Sequence, residues 1–190
     1  FLHDKLFDIG GTTKRSLERI FKGDSPRFSG EFFSENNGNG SLMRILPLVF
    51  YLLKEECSEV RYNKIKEVSS ITHAHFRSVM SCFIYVEFGR QLILTDTKEE
   101  AYQKMQLIVN SFISKNEFNP TEIELFCKLL DNNISDYPES SISSNGYVLD
   151  SLESSIWCLM TTSDYKESVL KAVNLGGDTD TTAAINGGIA

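Results

Sequence analysis

Cysteine is sparse in this sequence. The 190 residues hold four, Cys57, Cys82, Cys127 and Cys158, about 25 to 45 residues apart and without a C-x-x-C pair. That density is too low for a disulfide framework, and the spacing suits no zinc knuckle. Cys82, Cys127 and Cys158 stand next to Phe83, Phe126 and Trp157, and read as small core hydrophobes. Basic residues are also under-represented, 19 Lys and Arg against 26 Asp and Glu, for a formal charge of −7. With no Lys/Arg run to overcome it, an acidic surface repels a phosphate backbone, so nucleic acid is not an expected partner. Long apolar runs are missing too. The longest, from Ile45 to Leu53, contains Pro47. A membrane span needs about 20 residues, so none is expected. No signal peptide is recognisable, which makes the cytoplasm the default location. The chain opens on Phe1 rather than Met and closes on Gly-Gly-Ile-Ala, so an interior slice of a longer polypeptide is expected.

What is present is helical periodicity. Apolar residues make up 41% of the chain, enough for a real core. They recur at three- and four-residue spacing and almost never alternate, which predicts an all-α fold with eight helices in one partial domain over residues 1–190. The first places Leu17, Ile20 and Phe21 behind the possible caps Thr12 and Thr13. Ile45 to Leu53 follows with Pro47 in its first turns, and then Ile65, Val68 and Ile71. A long helix carries Val79 to Phe88, with Gly89 as a possible interruption. Thr97 begins a capping box, Asn119-Pro120 is a cap followed by Pro at the first helical position, and Asp164 caps the last helix. Between the last two lies a helix from Val148 to Met160.

Chemistry concentrates in two loops. Gly176-Gly-Asp-Thr-Asp-Thr-Thr182 holds Asp178 and Asp180 two apart, so in an extended segment both carboxylates point the same way. Like charges held together call for a cation between them. Two carboxylates and the Thr181 hydroxyl suit Mg²⁺, Mn²⁺ or Ca²⁺ rather than zinc, but fall short of the ~6 ligands a hard cation takes. An ordinary N-cap ahead of Ala183-Ala-Ile explains the same residues, and both readings stand on the residues alone. The second loop, Asn36-Asn-Gly-Asn-Gly-Ser41, can aim successive N–H groups at an anion ahead of a helix, or can be a plain turn. It has neither a Walker ending nor a preceding strand. Arg44 could add charge beside it or pair with an acid. His73 and His75, two apart on a helix, would not share a face, which argues against a two-histidine metal site. His73 alone could contact a ligand or be a buried structural histidine. Tyr147 could stack on a base or ribose or join the core.

Taken in order, several stretches resemble the ADP-ribosylglycohydrolase family. They are Phe7-Asp-Ile-Gly with Thr12-Thr, Asn37-Gly-Asn-Gly-Ser-Leu-Met-Arg44 with Pro47, Thr72-His73, Gly146-Tyr-Val with Leu152-Glu and Trp157-Cys, and Asn174-Leu-Gly-Gly-Asp-Thr-Asp-Thr-Thr182. The resemblance implies an all-α fold with a two-ion Mg²⁺ or Mn²⁺ site. It also implies hydrolysis of the bond joining ADP-ribose to an acceptor, on an ADP-ribosylated protein or a small ADP-ribosyl compound. By that resemblance Asp178, Asp180 and Thr181 are metal ligands. Asn37, Gly38, Asn39, Gly40 and Ser41 would lie along the ADP-ribose, with His73 and Tyr147 in contact. Family members carry a Thr-Asp-Asp type motif and an acidic catalytic residue in an N-terminal part, and no D-D pair occurs in these 190 residues. The resemblance therefore implies about half of a coordination shell here, no catalytic residue, and little turnover by this chain alone. A non-catalytic ADP-ribose binder of the same fold, or a purely structural helical domain, would be the other outcomes. A D-x-D-x-T phosphatase is disfavoured because no parallel-sheet pattern surrounds the motif.

Overall fold

The computed structural model describes residues 9–190, and the fold is all-α. Phe7 and Asp8, which figured in the sequence reading, lie outside the described residues. Among the described residues there are ten α-helices, five short 3₁₀ turns and no strand, only two isolated bridges, Glu31 with His73 and Gly38 with Tyr147. The helices are α1 (Gly11–Phe21), α2 (Pro47–Tyr51), α3 (Ser58–Ser69), α4 (Phe76–Leu94) and α5 (Lys98–Ser114), followed by α6 (Pro120–Glu124), α7 (Cys127–Leu130), α8 (Val148–Met160), α9 (Tyr165–Asn174) and α10 (Thr179–Gly187). The two beyond the expected eight arise where the Asn119–Leu130 stretch breaks into α6 and α7, and where the acidic loop itself runs into α10. No helix among the described residues is long and apolar enough to cross a membrane.

Two helices form the interior. α4 is buried on every side over most of its length, and so is α8, as expected of helices whose apolar residues are not confined to one stripe. α3, α5 and α2 pack around α4, while α9 and α10 pack against α8, which itself contacts α4. An aromatic cluster of Tyr62, Phe83, Phe112 and Phe118 joins α3, α4 and α5, with the Tyr62 and Phe83 rings edge-on at 5.4 Å. Three capping side chains act as their residue types predict: Thr97 accepts from Glu100 N–H, Asn119 from Thr121 N–H and Asp164 from Glu167 N–H. Pro47 opens α2 at its first position.

Four local expectations are corrected. Thr12 and Thr13 do not cap α1; they sit inside it, behind Gly10, and no side chain among the described residues caps that end. The apolar stripe of α1 does not face the core, since Phe21 is 91% exposed and Leu17 37%. Its polar side turns inward instead: Ser16 donates to the Thr72 carbonyl, and Arg15 and Arg19 both grip Glu31. Gly89 does not interrupt α4, because its role is spacing. A β-carbon there would stand 2.9 Å from Val49 Cγ2, so the glycine lets α2 approach α4. Cys82 and Cys158 are fully buried as expected, but Cys127 is only half-buried.

The interior also holds a charged knot. Glu87 on α4 is 0% exposed and pairs with both Arg61 of α3 and Arg90 one turn further along α4. The remaining guanidinium donors fasten the 52–56 turn: Arg90 reaches the carbonyls of Leu52, Leu53 and Glu55, and Arg61 those of Glu55 and Glu56.

Candidate functional site

Five chain segments meet around one cleft of about 780 Å³. The start of α1 supplies Gly10 to Thr13, the glycine-rich loop supplies Gly38 to Gly40 with Met43 and Arg44, the turn after α3 supplies His73, and Gly146 with Asp178, Asp180 and Thr181 completes the wall. Backbone pairing holds the loops together. Val148 N–H donates to the Asn37 carbonyl (2.9 Å), Asn39 N–H to the Gly146 carbonyl (3.1 Å) and Asp178 N–H to the Ser144 carbonyl (2.8 Å). The turn before Asp178 needs its glycine. Gly177 has φ +65°, and a β-carbon there would lie 2.5 Å from the Ser144 carbonyl oxygen.

Asp178 occupies the N-cap position of α10 but does not cap it. Its Oδ2 instead accepts from Asn39 Nδ2 at 2.7 Å. Asp180 lies in the first helical turn, exposed at the mouth of the cleft, and Thr181 is buried with its hydroxyl 3.9 Å from Met43 Sδ. The extended geometry expected for this pair is thus replaced by an N-cap and a first turn, and convergence comes from the start of the helix. Among the described residues no cluster of three or more His, Cys, Asp or Glu side chains could hold a metal ion. The donor set here, two carboxylates and a hydroxyl, has the hard oxygen chemistry of a Mg²⁺ or Mn²⁺ site but supplies part of a shell.

His73 is 2% exposed, with Nδ1 2.7 Å from Thr72 Oγ1. Its ring lies under the glycine loop, where a β-carbon at Gly40 would meet His73 Cε1 at 2.9 Å. Burial, helped by the nearby Arg44 charge, pushes its pKa down to about 4, so the imidazole is neutral at pH 7. Because the folded value lies below the ordinary 6.5, the unfolded chain takes up this proton first. Stability from neutral His73 is complete above about pH 6.5 and is lost as pH falls toward about 4. A His73→Gln variant of the full-length protein is expected to lose its urea midpoint less steeply between pH 6.5 and 4.5 than the parent; parallel curves would contradict the assignment.

Arg44 forms no ion pair among the described residues. Its donors hold the carbonyls of Gly40, Val68 and Ser69, and burial lowers its pKa from the ordinary value. It leaves a positive charge on the wall of the cleft.

Gly38, Asn39, Gly40, His73, Asp178, Asp180 and Thr181 therefore converge, whereas Asn37, Ser41 and Tyr147 do not line the cleft. The Asn37 amide is buried between the Ser34 carbonyl, His75 and Ser78. Ser41 is fully buried against Cys82, and Tyr147 packs on the core with its hydroxyl 3.4 Å from Arg77. The glycine loop leads into a three-residue 3₁₀ turn, Leu42–Arg44, rather than a helix, and Asn39 N–H turns to Gly146, so the expected run of successive N–H groups is broken. Gly10 and Met43 stand in the stretches that carry the resemblance but were given no place in the site, and Gly11 was not anticipated. The Gly10-Gly11 pair ahead of a helix was a usable signal, since it matches Gly176-Gly177.

A family model described as ADP-ribosylglycohydrolase matches residues 1–190, the whole chain. The chain belongs to the ADP-ribosylglycohydrolase family. Within it, the chain is similar to two proteins named ADP-ribosylarginine hydrolase Tri1. One, from Serratia proteamaculans (strain 568), is 29% identical over 189 residues, covering 98% of this chain and 46% of its own. The other, from Pseudomonas putida (strain GB-1), is 26% identical over 192 residues, covering 100% and 47%. The chain thus spans about half the length of these ADP-ribosylglycohydrolase relatives. A solved structure described as an ADP-ribosylglycohydrolase-related protein complex superposes with a TM-score of 0.74 at 23% identity, over 95% of this chain and 57% of that one, which establishes the shared fold.

Proposed function

We propose that the full-length protein hydrolyses the bond between ADP-ribose and an acceptor, a protein arginine first among them, at a site needing Mg²⁺ or Mn²⁺. The observation that carries this reading is Asp178. Its carboxylate sits at a helix start without capping it and is held by Asn39 in the same cleft as Asp180, Thr181, His73 and the glycine loop. Asp178, Asp180 and Thr181 would hold the cations, with the remaining ligands supplied by other residues of the full-length protein. Divalent ions in such a site supply Lewis acidity and a more acidic water.

The rest of the wall has its own tasks. Gly40 makes room for the His73 ring, which a β-carbon there would meet at 2.9 Å, so the imidazole stands directly under the loop along which a ligand would lie. Neutral His73 can exchange a hydrogen bond with a ribose hydroxyl or phosphate without adding charge. Arg44 offsets the repulsion that a chain of net charge −7 exerts on a diphosphate. Arginine is favoured as acceptor because two of the matched relatives are named for it.

The test is ADP-ribosyl-arginine hydrolysis by the full-length protein. Release of free ADP-ribose in Mn²⁺, its loss with a chelator and its return on adding Mn²⁺ back are expected. Turnover indifferent to the chelator would overturn the metal-dependent reading, and ADP-ribose binding without turnover would identify a non-catalytic member of the family.

A further inference from the structure

We infer that Asn39 is a positioning residue for the Asp178 carboxylate, acting together with Ser151, rather than a donor to the bound sugar diphosphate. The inference rests on the proposed reading of Asp178 as a metal ligand. Asn39 Nδ2 donates to Asp178 Oδ2 at 2.7 Å and to Ser151 Oγ at 2.9 Å, so both of its N–H bonds are committed inside the protein. The surroundings dictate which way the amide faces. Ser151 is 0% exposed and gives its own proton to the Asn145 carbonyl at 3.1 Å, which leaves its oxygen to accept. Asp178 Oδ2 also accepts. Two acceptors on one side require the NH₂ group there, and turning the amide over would set Oδ1 against a carboxylate.

The backbone of Asn39 is pinned as well, its N–H on the Gly146 carbonyl and its carbonyl on Met43 N–H at 3.0 Å. The side chain is thus a rigid strut between the glycine loop, α8 and the start of α10. A neutral donor on one carboxylate oxygen fixes the rotation of Asp178, keeps its full negative charge and leaves the other oxygen for a cation. Partners of this kind commonly set metal affinity, and losing one costs about 10–100-fold.

The test compares wild-type, Asn39→Ala, Ser151→Ala and Asp178→Ala full-length proteins by calorimetric titration with Mn²⁺, and by KM for ADP-ribosyl-arginine at saturating Mn²⁺. Asn39→Ala is expected to weaken Mn²⁺ binding about 10–100-fold with KM changed less than about two-fold. Ser151→Ala removes an atom that ligands cannot reach; it should shift Mn²⁺ affinity in the same direction by a smaller factor. It also carries the test alone if Asn39→Ala does not fold. Unchanged Mn²⁺ affinity with a raised KM would make Asn39 a substrate contact, and no change in either would remove its role. If wild type binds no Mn²⁺, or Asp178→Ala leaves its affinity intact, the metal reading of Asp178 itself fails and takes the inference with it.

Discussion

An Asp178→Ala variant of the full-length protein is expected to lose ADP-ribosyl-arginine hydrolysis by on the order of 10²–10³-fold, because a correctly placed cation contributes several kcal/mol to transition-state charge and each 1.36 kcal/mol is tenfold. Its folding stability should barely move. Among the described residues Asp178 makes one side-chain hydrogen bond, to Asn39, and caps nothing. Removing it costs about 1 kcal/mol for that bond, so the melting temperature of the metal-free protein should fall by no more than about 4 °C. Asp164 provides the opposite control. Its carboxylate does cap a helix, accepting from Glu167 N–H at 2.9 Å, so Asp164→Ala should cost about 1 kcal/mol of stability and no activity. Parallel thermal melts and rate assays separate the two aspartates. An Asp178→Ala protein that is destabilised yet fully active would return that residue to the role of a helix cap.

The largest loss of stability is expected from Glu87→Ala, at about 3–5 kcal/mol in urea unfolding of the full-length protein. Glu87 is 0% exposed, and its carboxylate is the shared counter-charge of Arg61 and Arg90, themselves almost wholly buried. Truncation leaves two guanidinium groups facing each other in a poorly solvated site and opens a cavity beneath them. Both arginines keep their carbonyl partners in the 52–56 turn, and an open depression of about 420 Å³ beside them admits water. These features place the expected value toward the lower end. Glu87→Gln keeps the shape and two polar partners, and should lose less than Glu87→Ala. A Glu87→Ala loss below about 1 kcal/mol would mean that the knot is not holding the 52–56 turn.

Much of the helical frame was legible in the residues. Thr97, Asn119 and Asp164 cap where their types and spacings predict, and Pro47 opens its helix, because capping is settled within about four residues of chain. The acidic and glycine-rich loops could be singled out for a similar reason: carboxylates two apart and paired glycines are unusual wherever they occur. Burial was less legible. The apolar stripe of α1 faces outward because Glu31 binds Arg15 and Arg19 on the helix side that carries Ser16, and no periodicity reports such a partner. Gly89 looked like a break because the sequence cannot show Val49 packed against it.

Sequence alone determined that this chain folds as helices, where most of them begin, and which two loops carry unusual chemistry. Those properties depend on neighbours within a turn or two. Tertiary structure decided what the loops do together. Asn39 meets Asp178 across 139 positions and Ser151 across 112, and His73 slides beneath Gly40 only because α3 ends there. It also withdrew Asn37, Ser41 and Tyr147 from the wall of the cleft, giving their polar atoms to protein partners. A side chain's type states which bonds it can make, but only the packed fold states which of those bonds are already taken.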